Sequence, residues 1–187
     1  MNLRPAPLDG VWVVEPEVFQ DDRGFFVEIF HRERYARSGI NRIFVQDNVS
    51  FSVRNTLRGL HYQRTQAQAK LVGVITGEIY DVCVDIRPGS PTFGQWFGIH
   101  LSGQNKHQIF IPEGFAHGFC VLSDSAHVLY KCSALYAPGD EGGILWSDPG
   151  LGINWPVKNP ILSEKDRTYP CLSDLPPDKL PQTGRKS

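Results

Sequence analysis

At 187 residues the chain suits a single domain and is long enough to bury a real core; its 41% hydrophobic and 21% charged residues are ordinary globular values. A formal net charge of −1 lacks the basic surplus of a nucleic-acid binder, although a small anionic ligand needs only a few placed cations. No apolar run approaches the roughly 20 residues of a membrane helix, and Pro5, Pro7 and Asp9 stand where a secretory leader would be apolar, so no membrane partner is expected and the cytoplasm is the default location.

Eighteen glycines and fourteen prolines cut the chain into short apolar runs. In chain order, residues 11–15, 25–30, 43–49, 70–75, 78–86, 96–101, 107–111, 115–122 and 126–135 are rich in Val, Ile, Phe and Tyr and read as strands. Short helices are expected over residues 31–37, ended by Gly39, and from Ser163 onward. Thr76-Gly77, between two apolar runs, reads as a tight hairpin turn. From about residue 177 the chain, with Pro177, Pro181 and Gly184, is expected to be loosely held. The pattern specifies an all-β domain, a sandwich or barrel with a few short peripheral helices; a jelly roll and an immunoglobulin-like sandwich fit it equally well. Cys83, Cys120, Cys132 and Cys171 form no C-x-x-C pair and are read as reduced, apolar core residues without a metal or disulfide role.

Several stretches offer chemistry, each beside a plainer structural explanation. Thr56-Leu57-Arg58-Gly59-Leu60-His61-Tyr62-Gln63 puts Arg58 and His61 in an apolar strand context, three apart and therefore on opposite faces of an ideal strand. A bulge at Gly59 is needed for both to face one pocket. In Ile111-Pro112-Glu113-Gly114-Phe115-Ala116-His117, the P-x-G-x-x-H spacing resembles the second motif of cupin barrels, whose histidine often binds a metal. The first cupin motif supplies an H-x-H pair; here that window reads His61-Tyr62-Gln63, followed by the cation Lys70, so the metal site is expected to be lost. Lys70 opens a strand, where a lysine is ordinarily a solvated edge residue. Tyr130 shares a strand face with Val128 and Cys132, and Asp166 follows Ser163 at capping-box spacing. Arg23 and Glu28 stand near the ends of an aromatic strand, and Gln46 and Asn48 share a face opposite Asp47.

Together the stretches DDRGFF, FVQDN, LRGLHYQ, GEIYDVCVDIR, SPTFGQW, IPEGFAHGF, YAPGDE, DPGLGINWP and ILSEKD resemble, in order and from about residue 3 to 166, the dTDP-4-dehydrorhamnose 3,5-epimerase family. The resemblance implies a cupin-type jelly roll, a homodimer, no cofactor and no metal. It also implies a dTDP-4-keto-6-deoxy sugar nucleotide as substrate, on the route to dTDP-L-rhamnose. By the same resemblance His61 is the catalytic base, Tyr130 the acid, Asp166 the carboxylate supporting the histidine, and Lys70 and Arg58 the cations near the keto oxygen. Arg23, Glu28, Gln46, Asp47, Asn48, His117, Glu141 and Lys165 match substrate-binding positions, and Tyr136 lines the pocket. The segment carrying Arg23 and Glu28 is expected to reach into the neighbouring subunit. One departure stands out: Gly73 occupies a position where the family more usually has arginine.

These residue types suit the implied reaction. Removing a proton beside a ketone gives an enolate whose charge rests on oxygen, and inversion needs a base on one face and an acid on the other. An ordinary histidine, with a pKa of about 6.5, titrates near working pH. Cations stabilise the developing oxyanion, a task a metal performs elsewhere. Three rival readings remain at this level: a 3-epimerase or ketoisomerase on the same fold, a metal-dependent cupin oxygenase, and a non-catalytic cupin that binds sugar nucleotides.

Overall fold

The computed structural model describes residues 1–182. Its strands are β1 (Asn2–Pro5), β2 (Trp12–Glu15), β3 (Val18–Asp21), β4 (Gly24–Val27), β5 (Gln46–Val53), β6 (Leu57–Gln63) and β7 (Lys70–Thr76). They continue as β8 (Glu78–Asp85), β9 (Trp96–Ser102), β10 (Gln108–Ile111), β11 (Phe115–Val121), β12 (Ser125–Cys132) and β13 (Glu141–Gly143). Two short helices, α1 (Arg32–Arg37) and α2 (Glu164–Thr168), lie at the positions expected from sequence.

The strands form two facing antiparallel sheets, ordered β1-β2-β10-β7-β12-β5 and β13-β6-β11-β8-β9, with β3-β4 as a separate hairpin. From β5 to β12 every consecutive pair except β8–β9 changes sheet, which is the jelly-roll arrangement and not an immunoglobulin sandwich. Thr76-Gly77 is therefore not a hairpin turn. β7 pairs with β10 and β12, whereas β8 pairs with β11 and β9, so the chain arches between sheets. Hydrophobic burial explains the arch: Val72 and Val74 of β7 meet Ile79 and Cys83 of β8 across one core. Gly77 takes φ +83° there, and any side chain would collide with the Ser125 carbonyl.

Strand boundaries shift where neighbours outweigh local propensity. β5 starts at Gln46 and not at residue 43, and β12 ends at Cys132, because the two pair with each other from Gln46↔Cys132 to Val53↔Ser125. β4 stops at Val27, short of the expected residue 30; Phe30 leaves the hairpin to pack against Tyr35 and Phe44.

The main core fills the space between the sheets. A second core lies on the other face of the five-stranded sheet, where Leu60, Tyr62, Val82 and Val84 meet Ile144, Leu151 and Leu180. That contact holds the C-terminal segment, expected to be loose from about residue 177, as far as Gln182. Leu180 is buried, the Tyr62 hydroxyl donates to the Lys179 carbonyl (3.0 Å), and the Gln182 N–H donates to the Arg64 carbonyl (2.9 Å). Gly184 falls outside the described residues. All four cysteines are free; Cys83, Cys120 and Cys132 are buried, while Cys171 is only partly covered. Among the described residues no helix is long and apolar enough to cross a membrane.

Candidate active site

Strand alternation sends one row of each strand into the sandwich. These rows are apolar at one end and polar at the other: Val74 and Val72 give way to Lys70 on β7, Val128 to Tyr130 on β12, and Phe119 to His117 on β11. At the polar end the sheets enclose a cavity of about 400 Å³, a usual size for a small-molecule site. Arg58, His61 and His117 reach it from the five-stranded sheet; Gln46, Asn48, Lys70 and Tyr130 reach it from the six-stranded sheet.

The bulge required by the Arg58–His61 spacing is present. On β11, His117 pairs with His61 and Phe119 with Arg58, so β6 takes one residue more than its partner. Gly59 absorbs it at φ +134°, where a Cβ would lie 2.5 Å from Gly118 Cα. Both residues must be glycine for the strands to approach this closely.

His61 is held from behind. Its Nε2 lies 2.5 Å from Oδ1 of Asp166, which is only 2% exposed. The other carboxylate oxygen accepts from the Ser163 hydroxyl (2.7 Å), and Ser163 caps α2 by accepting from the Asp166 N–H (3.3 Å). Asp166 thus serves the helix cap and the histidine together. Burial disfavours its charge, but the hydrogen bonds and charges of His61, Ser163 and Lys165 outweigh that and hold the carboxyl below its ordinary range. The ring of Tyr169 packs edge-on against His61, centroids 5.8 Å apart.

On the opposite sheet, burial pushes the Tyr130 hydroxyl up, with Cys132 and Glu141 adding to the effect and Arg58 opposing it. The phenol stays protonated. Lys70 makes no ion pair or hydrogen bond among the described residues. Burial pulls its ammonium down, against the raising influence of Cys132, Asp81 and Glu141. Arg58 donates to the Ser52 hydroxyl (3.0 Å). At the mouth Glu141 accepts from Tyr136 (3.0 Å) and Lys165 (2.7 Å), and Gln46 bridges to Asn48 (2.9 Å) and to the Tyr136 N–H (2.8 Å).

Three residues expected at the site stand apart from this cavity. Asp47 points to the outer face, bonded to Lys131 at 2.7 Å. Arg23, at the tip of the β3–β4 hairpin, pairs with Asp21 (2.6 Å), and Glu28 pairs with Arg34 (3.1 Å). Conversely, Ser50 and Gln68 line the cavity without having been singled out, as do Gln63 and Cys132, which the sequence offers only as a lost metal ligand and a core residue. Asp81, bonded to His117 at 2.9 Å, was also overlooked; the available signal was an acid sharing the inward row of Ile79 and Cys83. Gln63, at the position of a metal cupin's second histidine, spends its amide on the Gln66 and Leu135 carbonyls and the Ala137 N–H. Among the described residues no group of three His, Cys, Asp or Glu side chains could hold a metal ion.

Comparison with known proteins agrees with this geometry. A sequence model described as dTDP-4-dehydrorhamnose 3,5-epimerase matches residues 5–174. The chain is 54% identical over 176 residues to the dTDP-4-dehydrorhamnose 3,5-epimerase of Pseudomonas aeruginosa, covering 93% of this chain and 97% of that one. It is 52% identical over 172 residues to that of Methanothermobacter thermautotrophicus, covering 90% and 93%. A crystal structure of a dTDP-6-deoxy-D-glucose-3,5-epimerase from Legionella pneumophila, in complex with dTDP-4-keto-L-rhamnose, superposes with a TM-score of 0.94 at 49% identity, covering 98% of each chain. A more distant relative from Streptomyces niveus, 41% identical and covering 93% of this chain and 85% of its own, is a dTDP-4-dehydrorhamnose 3-epimerase. With the fold, the cavity and these relatives in agreement, the chain belongs to the dTDP-4-dehydrorhamnose 3,5-epimerase family.

Proposed function

We propose that the protein inverts C3 and C5 of dTDP-4-dehydro-6-deoxy-D-glucose to give dTDP-4-dehydro-L-rhamnose, with His61 as base and Tyr130 as acid. One observation carries the assignment: His61, backed by a buried carboxylate, and Tyr130, beside Lys70, line a single cavity from opposite sheets. An inverting site needs this disposition, because the proton leaves one face of the sugar and returns to the other.

With Nε2 bonded to Asp166, Nδ1 is the nitrogen left to take the carbon proton. The imidazolium that forms is stabilised by the carboxylate behind it. Charge passes to the sugar's keto oxygen, where Lys70 and Arg58 serve as electrostatic partners. Tyr130, kept protonated by burial, returns a proton to the opposite face. Neither step calls on a cofactor, since the residues present supply acid, base and cations. Gln46, Asn48, His117, Tyr136, Glu141 and Lys165 hold the remainder of the nucleotide sugar along the wall and mouth.

The working form on this reading is a cytoplasmic homodimer. Phe19, Phe25 and Phe26 of the hairpin are more than half exposed, as are Val49 and Phe51 on the outer face of β5. An apolar surface of this kind on a sheet edge favours association. Docking there would bring Arg23 and Glu28 to the partner's cavity and leave Asp47 near the interface. Sedimentation should give twice the mass of the chain; a monomer with full activity would count against it.

Proton NMR of the dTDP-4-keto sugar with enzyme in D₂O tests the reaction. Deuterium at both C3 and C5 is expected, and His61→Ala should abolish exchange. Deuterium at C3 alone would favour the narrower reading that the Streptomyces niveus relative supports. Exchange at neither carbon would defeat both.

A further inference from the structure

Four aspartates stand among the buried polar residues, and three satisfy both carboxylate oxygens. Asp85 bonds Arg87, Ser90 and Thr92, Asp148 accepts the N–H groups of Gly150 and Leu172, and Asp166 bonds His61 and Ser163. Asp81 differs. It has no solvent exposure, one oxygen meets His117 Nε2 at 2.9 Å, and the other has no protein hydrogen-bond partner among the described residues. A carboxylate placed only to staple the sheet would be bonded to protein at both oxygens, because an unmade bond in the interior is costly. Among the described residues one further buried side-chain atom lacks a protein partner, the Ser50 hydroxyl, and it lines the active-site cavity. The polar imperfections of the fold gather at the site.

Asp81 lies behind His117, on the neighbouring strand β8, and does not itself line the cavity, whereas His117 does. We propose that Asp81 is a positioning residue for the epimerisation: it accepts from His117 Nε2, fixes the ring and its tautomer, and so presents Nδ1 to the substrate. The molecule then carries two carboxylate–imidazole pairs on one sheet, His61–Asp166 and His117–Asp81, on strands paired directly at His117↔His61. They are not equivalent. Asp166 has a second bond from Ser163 that holds it independently of its histidine, while Asp81 depends on His117 alone among hydrogen-bond donors. Its remaining counter-charge is Lys70 on the facing sheet, whose ammonium it helps to keep charged against burial. The Asp81 carboxylate thus serves His117 by a direct hydrogen bond and Lys70 through its charge.

The inference rests on the epimerase reading for its role but not for its geometry, and the two are tested apart. Long-range proton–nitrogen spectra of substrate-free enzyme labelled at histidine should show His117 protonated at Nε2, with a mixture of tautomers appearing in Asp81→Asn. His117 protonated only at Nδ1 in the wild type would overturn the proposal whatever the reaction. Kinetics supply the second readout. Asp81→Asn should lower kcat/KM at least about tenfold in the wild type, yet less than about twofold in His117→Ala, since the residue acts through the ring. Equal losses in both backgrounds would make Asp81 a structural residue and end the proposal. Should Asp81→Asn fold poorly, Asp81→Ser, which removes the charge and keeps an oxygen, takes its place in the cycle.

Discussion

Replacing Asp166 by asparagine isolates the part of the site that supports the base. The residue is 2% exposed and asparagine has nearly its shape, so the substitution keeps the form of the cavity. Two losses combine. First, the 2.5 Å contact between carboxylate and imidazole becomes a bond to a neutral amide. Bonds to charged groups are worth about 1.5–3 kcal/mol, which is roughly 10- to 150-fold in rate if realised as the imidazolium forms. Second, an amide has only one acceptor oxygen. Serving the Ser163 hydroxyl with it turns the NH₂ toward Nε2 and drives the imidazole proton to Nδ1, where it blocks abstraction. In the serine-protease triad the corresponding change costs about 10⁴ in kcat. We therefore expect kcat to fall at least about 100-fold with KM changed less than about threefold. Deuterium wash-in at C3 and C5, followed by NMR at saturating substrate, reads kcat directly, and near-ultraviolet circular dichroism checks the fold. A folded variant that exchanges both protons within about fivefold of the wild-type rate would refute the argument that this carboxylate sustains the base.

Lys70→Met should separate activity from stability: kcat falls by about 3–4 kcal/mol of barrier, while the melting temperature holds or rises because a half-buried ammonium without an ion pair is removed. Unchanged turnover would remove Lys70 from the oxyanion role. Gly59→Ala forces a Cβ to 2.5 Å from Gly118 Cα at φ +134°, so a loss of about 1–3 kcal/mol is expected in urea unfolding, with activity falling as the bulge shifts. Asp85, where burial is outweighed by bonds from Arg87, Ser90 and Thr92, titrates at about 2 in the folded protein. A depressed carboxyl stabilises the fold above its unfolded value and loses that contribution as pH falls through the folded one, so Asp85→Asn should cost about 2 kcal/mol at pH 7. The gap should narrow between about pH 4 and pH 2; a gap that stays constant over that range would contradict the assignment.

The strands that build the site were readable because Lys70 to Thr76, Glu78 to Asp85 and Phe115 to Val121 carry dense β-branched and aromatic runs. Pairing was not readable to the same degree. Thr76-Gly77 has the local chemistry of a hairpin, and only the shared burial of Val74 and Ile79 from opposite walls makes it an arch. β13, with the sequence Glu-Gly-Gly, has no strand propensity at all and exists because it pairs with His61, Tyr62 and Gln63. At the site, the Gly59 bulge followed from the Arg58–His61 spacing, since no regular strand could unite them. Asp81 could not be weighted the same way: an acid in an apolar strand announces itself, but its partner His117 is distant in sequence and becomes its neighbour only through the β8–β11 register. Arg23 and Glu28 mark a different boundary, because a single chain leaves them away from its own cavity.

The jelly roll itself suits inversion on both sides of a ketone. Facing sheets pack about 10 Å apart, and here the spacing is set at the apolar end, where Val72, Val128 and Phe119 interlock. The polar end inherits that gap through the same strands: Lys70 lies two residues from Val72, Tyr130 two from Val128, and His117 two from Phe119. On the proposed function, a sugar ring between the sheets would meet imidazoles on one side and a phenol with an ammonium on the other. Strand rigidity at that end comes from pairing on both sides: β7 lies between β10 and β12, and β11 between β6 and β8. Reactive groups placed on central strands are held by two ladders each, the precision that proton transfer to carbon demands. The polar groups of β7, β11 and β12 and the hydrophobic core are thus two ends of one set of strands, and the packing that stabilises the fold also spaces the cavity.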